Sequence, residues 1–189
     1  MSVLGAIEET DLEQARELFD VNFFGVVRVT RAVLPSMRAR HAGRIVLVSS
    51  VVGFVPAPFM GFYAASKHAL EGYGESLDHE VRTLGIRVVL VEPGFMRTKI
   101  DANAAVAKSA IADYATARAR TSAAINDALA KGDDPAEVAG VIADVARAPR
   151  PKLRYTVGKG TGMLQTLRNL LPASMFDRSF RKQFQMDGA

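Results

Sequence analysis

Arg44-Ile45-Val46-Leu47-Val48-Ser49-Ser50, then Tyr63-Ala64-Ala65-Ser66-Lys67, is the stretch around which the chain is organised. Ile45 to Val48 is continuously apolar rather than alternating, which predicts a strand buried on both faces, as in a parallel sheet. Ser50 stands at its end. Tyr63 and Lys67 are four apart, so on a helix they share one face, a turn from each other. A phenol has an ordinary pKa of about 10 and is a poor base at neutral pH. An ammonium one turn away favours the phenolate, and such a pair can exchange a proton near neutrality. A hydroxyl at the strand end could hold a substrate oxygen beside the phenol. Taken alone, a Tyr and a Lys four apart also arise by chance in many helices. Between them, Val51 to Phe62 is a loop rich in Gly, Pro and large apolar residues, including Phe54, Val55, Phe59, Met60 and Phe62. These either fill the core or form an apolar wall against a substrate, and the sequence leaves both open.

Outward from this stretch, Ala69, Tyr73, Leu77, Val81 and Leu84 recur at helical spacing and predict a helix from about Phe62 to Leu84, closed by Gly85 at its C′ position. Ile86 to Val91 is a second buried strand, ending at Pro93-Gly94. Strand, helix, strand implies a right-handed parallel crossover, and ligands of such sheets bind beyond the carboxyl ends of the strands. Upstream, Thr10-Asp11-Leu12-Glu13 reads as a capping box with Thr10 as N-cap. A long helix should follow to about Arg40, with Asn22 inside it as a mediocre helix former and a local kink at Pro35. His41 to Gly43 is the turn into the first strand. Downstream, residues 99–131 are alanine-rich and helical. Asp134 caps another helix, with Pro135 at its first position, ending near Ala148. Leu153 to Val157 is a short third strand, and residues 160–185 give one or two amphipathic helices. No repeat or linker divides the chain, so residues 1–189 read as one domain of class α/β.

Composition narrows the function classes. With 189 residues, 49% hydrophobic and 23% charged, the chain is long enough for one sizeable core. It has no cysteine, which excludes disulfides, thiolate metal sites and a cysteine nucleophile. It has no apolar run of about 18 residues and no basic segment before an apolar core, so neither a membrane span nor a signal peptide is read, and a cytoplasmic location is expected. Net charge is +4, with 8 basic and 2 acidic residues from 150 onward. That tail lacks the dense Lys/Arg blocks of a nucleic-acid arm. It reads as a solvated surface, or as a weak contact with an anionic membrane. No His/Asp/Glu cluster suggests a metal, and His68, nearest the motif, reads as packing.

The order Asn22, then Ser49-Ser50, then Tyr63-xxx-Lys67, then Pro93-Gly94-Phe95-Met96-Arg97-Thr98 resembles the short-chain dehydrogenase/reductase family along nearly the whole chain. The resemblance implies a Rossmann-type doubly wound parallel sheet and hydride transfer between NAD or NADP and an alcohol or ketone. It assigns Tyr63 as proton donor or acceptor, and Lys67 as the group that lowers the pKa of Tyr63 and bonds the nicotinamide ribose. Ser50 would hold the substrate oxygen. Asn22 would distort its helix so that a backbone carbonyl holds a water leading to Lys67. Pro93 and Gly94 would let the backbone approach the nicotinamide, with the Met96 amide and Thr98 near its carboxamide. Residues 99–131 would be a mobile substrate lid. The apolar loop and the run from Leu170 to Phe176 resemble hydroxysteroid and retinol dehydrogenases, which implies a large apolar alcohol or ketone. The helices starting near Thr10 and Phe62 are those with which family members pair, so a homo-oligomer is implied.

The family's TGxxxGxG turn and NNAG motif are absent, and the sequence begins where a member would have just passed NNAG. Only the last three strands of the family sheet are expected. On the order of 90 residues of N-terminal βα units are missing, with the pyrophosphate turn and the residue selecting NAD from NADP. The first strand should then have an open edge. Two readings stay open: a portion of an active dehydrogenase, or a truncated, inactive remnant serving as a dimerisation module. For the chain by itself, little or no nicotinamide binding is expected.

Overall fold

A computed structural model describes residues 1–98, 105–184 and 186. Three strands form a parallel sheet: β2 (Gly43–Val48), β3 (Ile86–Pro93) and β5 (Arg154–Val157), in the order β2-β3-β5. Val48 pairs in register with Val91, and Pro93 with Val157. A second, two-stranded sheet joins β1 (Val3–Leu4) to β4 (Ala105–Val106), also in parallel. These two-residue strands carry no pattern that sequence reading could detect.

The expected α/β class and three-strand sheet stand, with the helices placed on both faces. α2 (Gly25–Ala39) and α3 (Gly61–Val81) cover one face, packing Val26, Leu34, Leu70 and Leu77 on Ile45, Leu47, Ile86, Val88 and Leu90. α5 (Pro135–Arg147) covers the other, packing Val138, Val141 and Ile142 against Val46, Val91 and Val157. The even-numbered residues of β3 face one layer and Val91 the other, the period of two that a strand imposes. β3 is central and nearly all buried, as its continuous apolarity predicts. β2 departs from the prediction at its end: Val48 is 43% exposed, because β2 is an edge strand among the described residues and its end opens into a cleft. Buried Asp78 locks α3 to β3 by accepting the Val88 amide at 2.9 Å and Arg87 Nε at 3.0 Å.

The predicted long first helix is α1 (Leu12–Phe19), then a π-helical turn over Asp20–Phe24, then α2. Its cap is Asp11 rather than Thr10. The Asp11 carboxylate accepts the Gln14 amide at 2.7 Å, while the Thr10 hydroxyl is buried and donates to Ala6 O at 3.1 Å. Pro35 sits within α2. α3 starts and stops near the predicted bounds, with its last turn tightened over Arg82–Leu84 and Gly85 in the left-handed region at φ 74°. A side chain there would lie 2.1 Å from His41 O, so glycine is required twice over. Asp134 caps α5 through the Ala136 amide at 2.8 Å, with Pro135 at the first turn, as predicted.

Of the predicted lid, residues 99–104 lie outside the described residues. The remainder gives β4 and α4 (Ala115–Ala130). The N-terminal segment holds this region through Glu9. Its buried carboxylate accepts the Ile111 amide at 2.8 Å and the Arg118 guanidinium, and these bonds, the Ile111 amide foremost, hold its pKa down to about 2. The tail forms two helices, α6 (Thr161–Leu170) and α7 (Ala173–Gln183). Among the described residues no helix is long and apolar enough to cross a membrane.

Candidate active site

Beyond the carboxyl ends of β2 and β3 lies a cleft of about 430 Å³, within the range of small-molecule sites. Seven of the eight predicted site residues line it: Ser50, Tyr63, Lys67, Pro93, Gly94, Met96 and Thr98. The walls are apolar. Val51, Val52, Ala57 and Met60 come from the loop after β2, Ile125 and Leu129 from α4, and Pro135, Val138, Ala139 and Ile142 from α5. The loop therefore does both things the sequence allowed. Val51, Val52, Ala57 and Met60 face the cleft, whereas Val55 is buried away from it. The α4 and α5 residues were missed, although Pro135, Val138, Ala139 and Ile142 repeat at one-face helical spacing.

Ser50 is half-buried in extended backbone and caps a short turn over Val51–Gly53, its Oγ accepting the Val52 amide at 3.4 Å. Tyr63 is buried in the first turn of α3, and the Lys67 Nζ stands 5.9 Å from its ring centroid. Lys67 Nζ donates to Val48 O at 2.9 Å. The Ser49 amide is used by Val91 O at 2.7 Å, so alternation along β2 turns the Val48 carbonyl to the open edge, where Lys67 meets it. Burial pushes the Lys67 ammonium down to about 8, against the pull of the Glu71 carboxylate one turn on.

Asn22 does not line the cleft. It sits buried in the π-helical turn, where the Gly25 amide reaches back to Asp20 O. Its Nδ2 donates to Met1 O at 2.9 Å and to Ser66 Oγ at 3.2 Å, and Ser66 in turn donates to Tyr63 O at 2.8 Å. The expected helix distortion is present, and the side chain ties it to the helix carrying Tyr63 and Lys67. Gly94 also has a packing role. A Cβ there would lie 2.4 Å from Thr161 Oγ1, so its missing side chain admits α6, and its amide donates to Val157 O at 2.8 Å. Met96 is buried and bridged to Asp133, which pins the turn after β3 to the start of α5. Thr98 is exposed, its amide on Met96 O at 2.8 Å. His68 is exposed, with Nδ1 2.9 Å from Ala64 O, so it makes a local helix contact rather than core packing.

Residues 1–109 match the family model described as short chain dehydrogenase. An uncharacterized oxidoreductase of Bacillus subtilis, YusZ, is 35% identical over 184 residues, covering 95% of this chain and 66% of the relative. A short-chain dehydrogenase from Streptomyces avermitilis superposes with a TM-score of 0.74 at 33% identity, over 96% of this chain and 67% of its own. A short-chain dehydrogenase/reductase from Burkholderia phymatum, solved in complex with NAD, gives 0.68 at 25% identity, over 89% and 62%. The chain thus spans about two thirds of the length of these proteins. A matched family model over more than half its residues, on this parallel sheet and with this cleft, makes the chain a member of the short-chain dehydrogenase/reductase family.

Proposed function

We propose that the chain carries the catalytic portion of an oxidoreductase that moves a hydride between NAD or NADP and an apolar alcohol or ketone. The observation that carries this reading is the convergence of Ser50, Tyr63 and Lys67 with the Pro93–Thr98 turn on one apolar cleft at the strand ends. The residues fit a nicotinamide. The cleft offers flat apolar contact from Val48, Pro93 and Met96, one ammonium, and hydroxyls from Ser50 and Thr98. When bound, the nicotinamide supplies or accepts the hydride. Tyr63 gives or takes the proton at the substrate oxygen. Ser50 donates a hydrogen bond to the same oxygen, which sets its position relative to the phenol. Lys67 supplies positive charge that favours the phenolate, and Asn22, through Ser66, fixes the turn of α3 between them. The apolar α4 and α5 walls exclude water and select a substrate with little polar surface.

The test is turnover. A form of the protein spanning the length of its relatives is incubated with apolar secondary alcohols plus NAD⁺ or NADP⁺, and with the matching ketones plus NADH or NADPH. The absorbance of the reduced nicotinamide should change with one pair. No change with any cofactor that demonstrably binds would overturn the reading.

The same reading includes a homo-oligomer. Leu12, Val21, Phe24 and Val29 are exposed along the segment from α1 to α2, and large apolar side chains gathered on one exposed segment are buried by a second copy more readily than left in water. Light scattering should give at least twice the chain mass, and a strict monomer at micromolar concentration would remove this part of the proposal.

A further inference from the structure

Behind the cleft, on the side away from the substrate walls, lies a cluster of charges that the reaction does not consume. Glu71 is buried in α3, one turn beyond Lys67. Its Oε1 accepts the Ser49 hydroxyl at 2.7 Å, and its Oε2 accepts Arg154 Nη1 at 2.7 Å. The same Arg154 nitrogen donates to Glu92, and its Nε donates to Glu75 at 2.8 Å. Gly53 leaves room for the arrangement, since a Cβ there would lie 1.9 Å from Glu71 Oε1.

Two side chains of α3, a turn apart, therefore grip the last residue of β2 and the one that follows it. Lys67 holds the Val48 carbonyl and Glu71 holds the Ser49 hydroxyl. The next residue is Ser50. The geometry points to Glu71 as a positioning residue of this site: it fixes the end of β2 so that Ser50 faces Tyr63, and it sets a carboxylate one helical turn from the Lys67 ammonium. This rests on the reading of Ser50, Tyr63 and Lys67 given above, but neither contact requires turnover to be observed.

Lys67 is met by charged and polar groups from several elements. On its own helix it faces Tyr63 and Glu71. From the N-terminal segment the Met1 amino group repels it, and from β2 the Val48 carbonyl accepts its hydrogen bond. From β5 the cation of Arg154 stands behind Glu71, shared with Glu75 and Glu92. Burial alone drives a lysine toward its neutral form. Glu71 is the carboxylate that opposes this drive, and with it Lys67 stays protonated to about 8.

The experiment is a side-chain NMR titration of Lys67 in the whole chain, its signal assigned by loss in Lys67→Arg. Glu71→Gln keeps an oxygen for Ser49 and removes the charge. The Lys67 midpoint should fall by about one unit, as expected for losing a nearby opposite charge. Glu92→Gln removes a carboxylate of the same cluster that faces Arg154, and should leave Lys67 within a few tenths of a unit. An unmoved midpoint in Glu71→Gln, or equal movement in both variants, overturns the proposal. Should Glu71→Gln not fold, Glu71→Asp carries the test. The carboxylate withdraws by one methylene, and the midpoint must then fall by a smaller but resolved amount, with no fall overturning the proposal. Because no substrate or cofactor enters, failure here leaves the turnover test untouched, and the reverse also holds.

Discussion

Tyr63→Phe is expected to remove turnover almost completely, by about 10²- to 10⁴-fold, the contribution of a positioned general acid or base. The substitution deletes one oxygen and leaves the ring, which is buried at the mouth of α3. The fold should persist, so the melting temperature and the Lys67 contact with Val48 are the controls. The pH dependence has a defined direction. Lys67 carries its charge below about 8 and loses it above, so the support it gives the phenolate fades as pH rises through that value. In the active parent an inflection should therefore stand near it, and Lys67→Met should lose that inflection along with most of the rate. A Tyr63→Phe protein retaining a tenth or more of the parent rate would sink the role assigned to the phenol.

Much of this site was legible because its residues sit in short, local patterns. The Tyr63/Lys67 pair needs only helical spacing, Pro93-Gly94 marks a strand end, and Ile45–Val48 and Ile86–Val91 announce themselves by continuous apolarity. Asp134-Pro135 and Gly85 were readable for the same reason, since caps and left-handed positions are dictated by one or two residues. The limits were equally physical. Thr10 and Asp11 both satisfy the capping pattern, and the choice fell to Asp11 because burial committed the Thr10 hydroxyl to Ala6. The β1–β4 pair is too short to carry a period. Gly94 was readable as special, but the close approach of Thr161 to it comes from a helix 67 residues further along the chain. The charge cluster was invisible altogether. Glu71, Glu75, Glu92 and Arg154 are spread over three elements, and nothing in a charged residue's neighbours says which buried partner it will meet.

That cluster also sets the largest stability effect expected here. Glu92 is fully buried near the end of the central strand, beside Pro93 of the site, and its carboxylate is met by Arg154 and, at 3.0 Å, by Gln165 of α6. Burial, followed by the charge of Glu71, raises its pKa, and Arg154 works against that rise. Arg154→Met removes the only cation that touches both Glu71 and Glu92 among the described residues. Stranding buried carboxylates in this way costs about 3–5 kcal/mol, which in a chain of this size lowers Tm by on the order of 10 °C. Glu75→Ala breaks a contact of the same arginine, but Glu75 is 39% exposed, so its loss should cost no more than about 1 kcal/mol. The sign with pH separates charge from packing. A carboxyl whose folded pKa lies above its unfolded one binds protons more tightly when folded, so its contribution is most favourable at low pH and is lost as pH rises through that window. Removing Arg154 raises the folded value further. The gap in stability between parent and Arg154→Met, measured by urea unfolding, should then narrow as the pH falls from neutral into the carboxylate range. A gap that stays constant with pH would mean that Arg154 acts through the packing of its alkyl stem. A loss confined to 1 kcal/mol or less would mean that the β3–β5–α3 junction beneath the site is held by its apolar contacts alone.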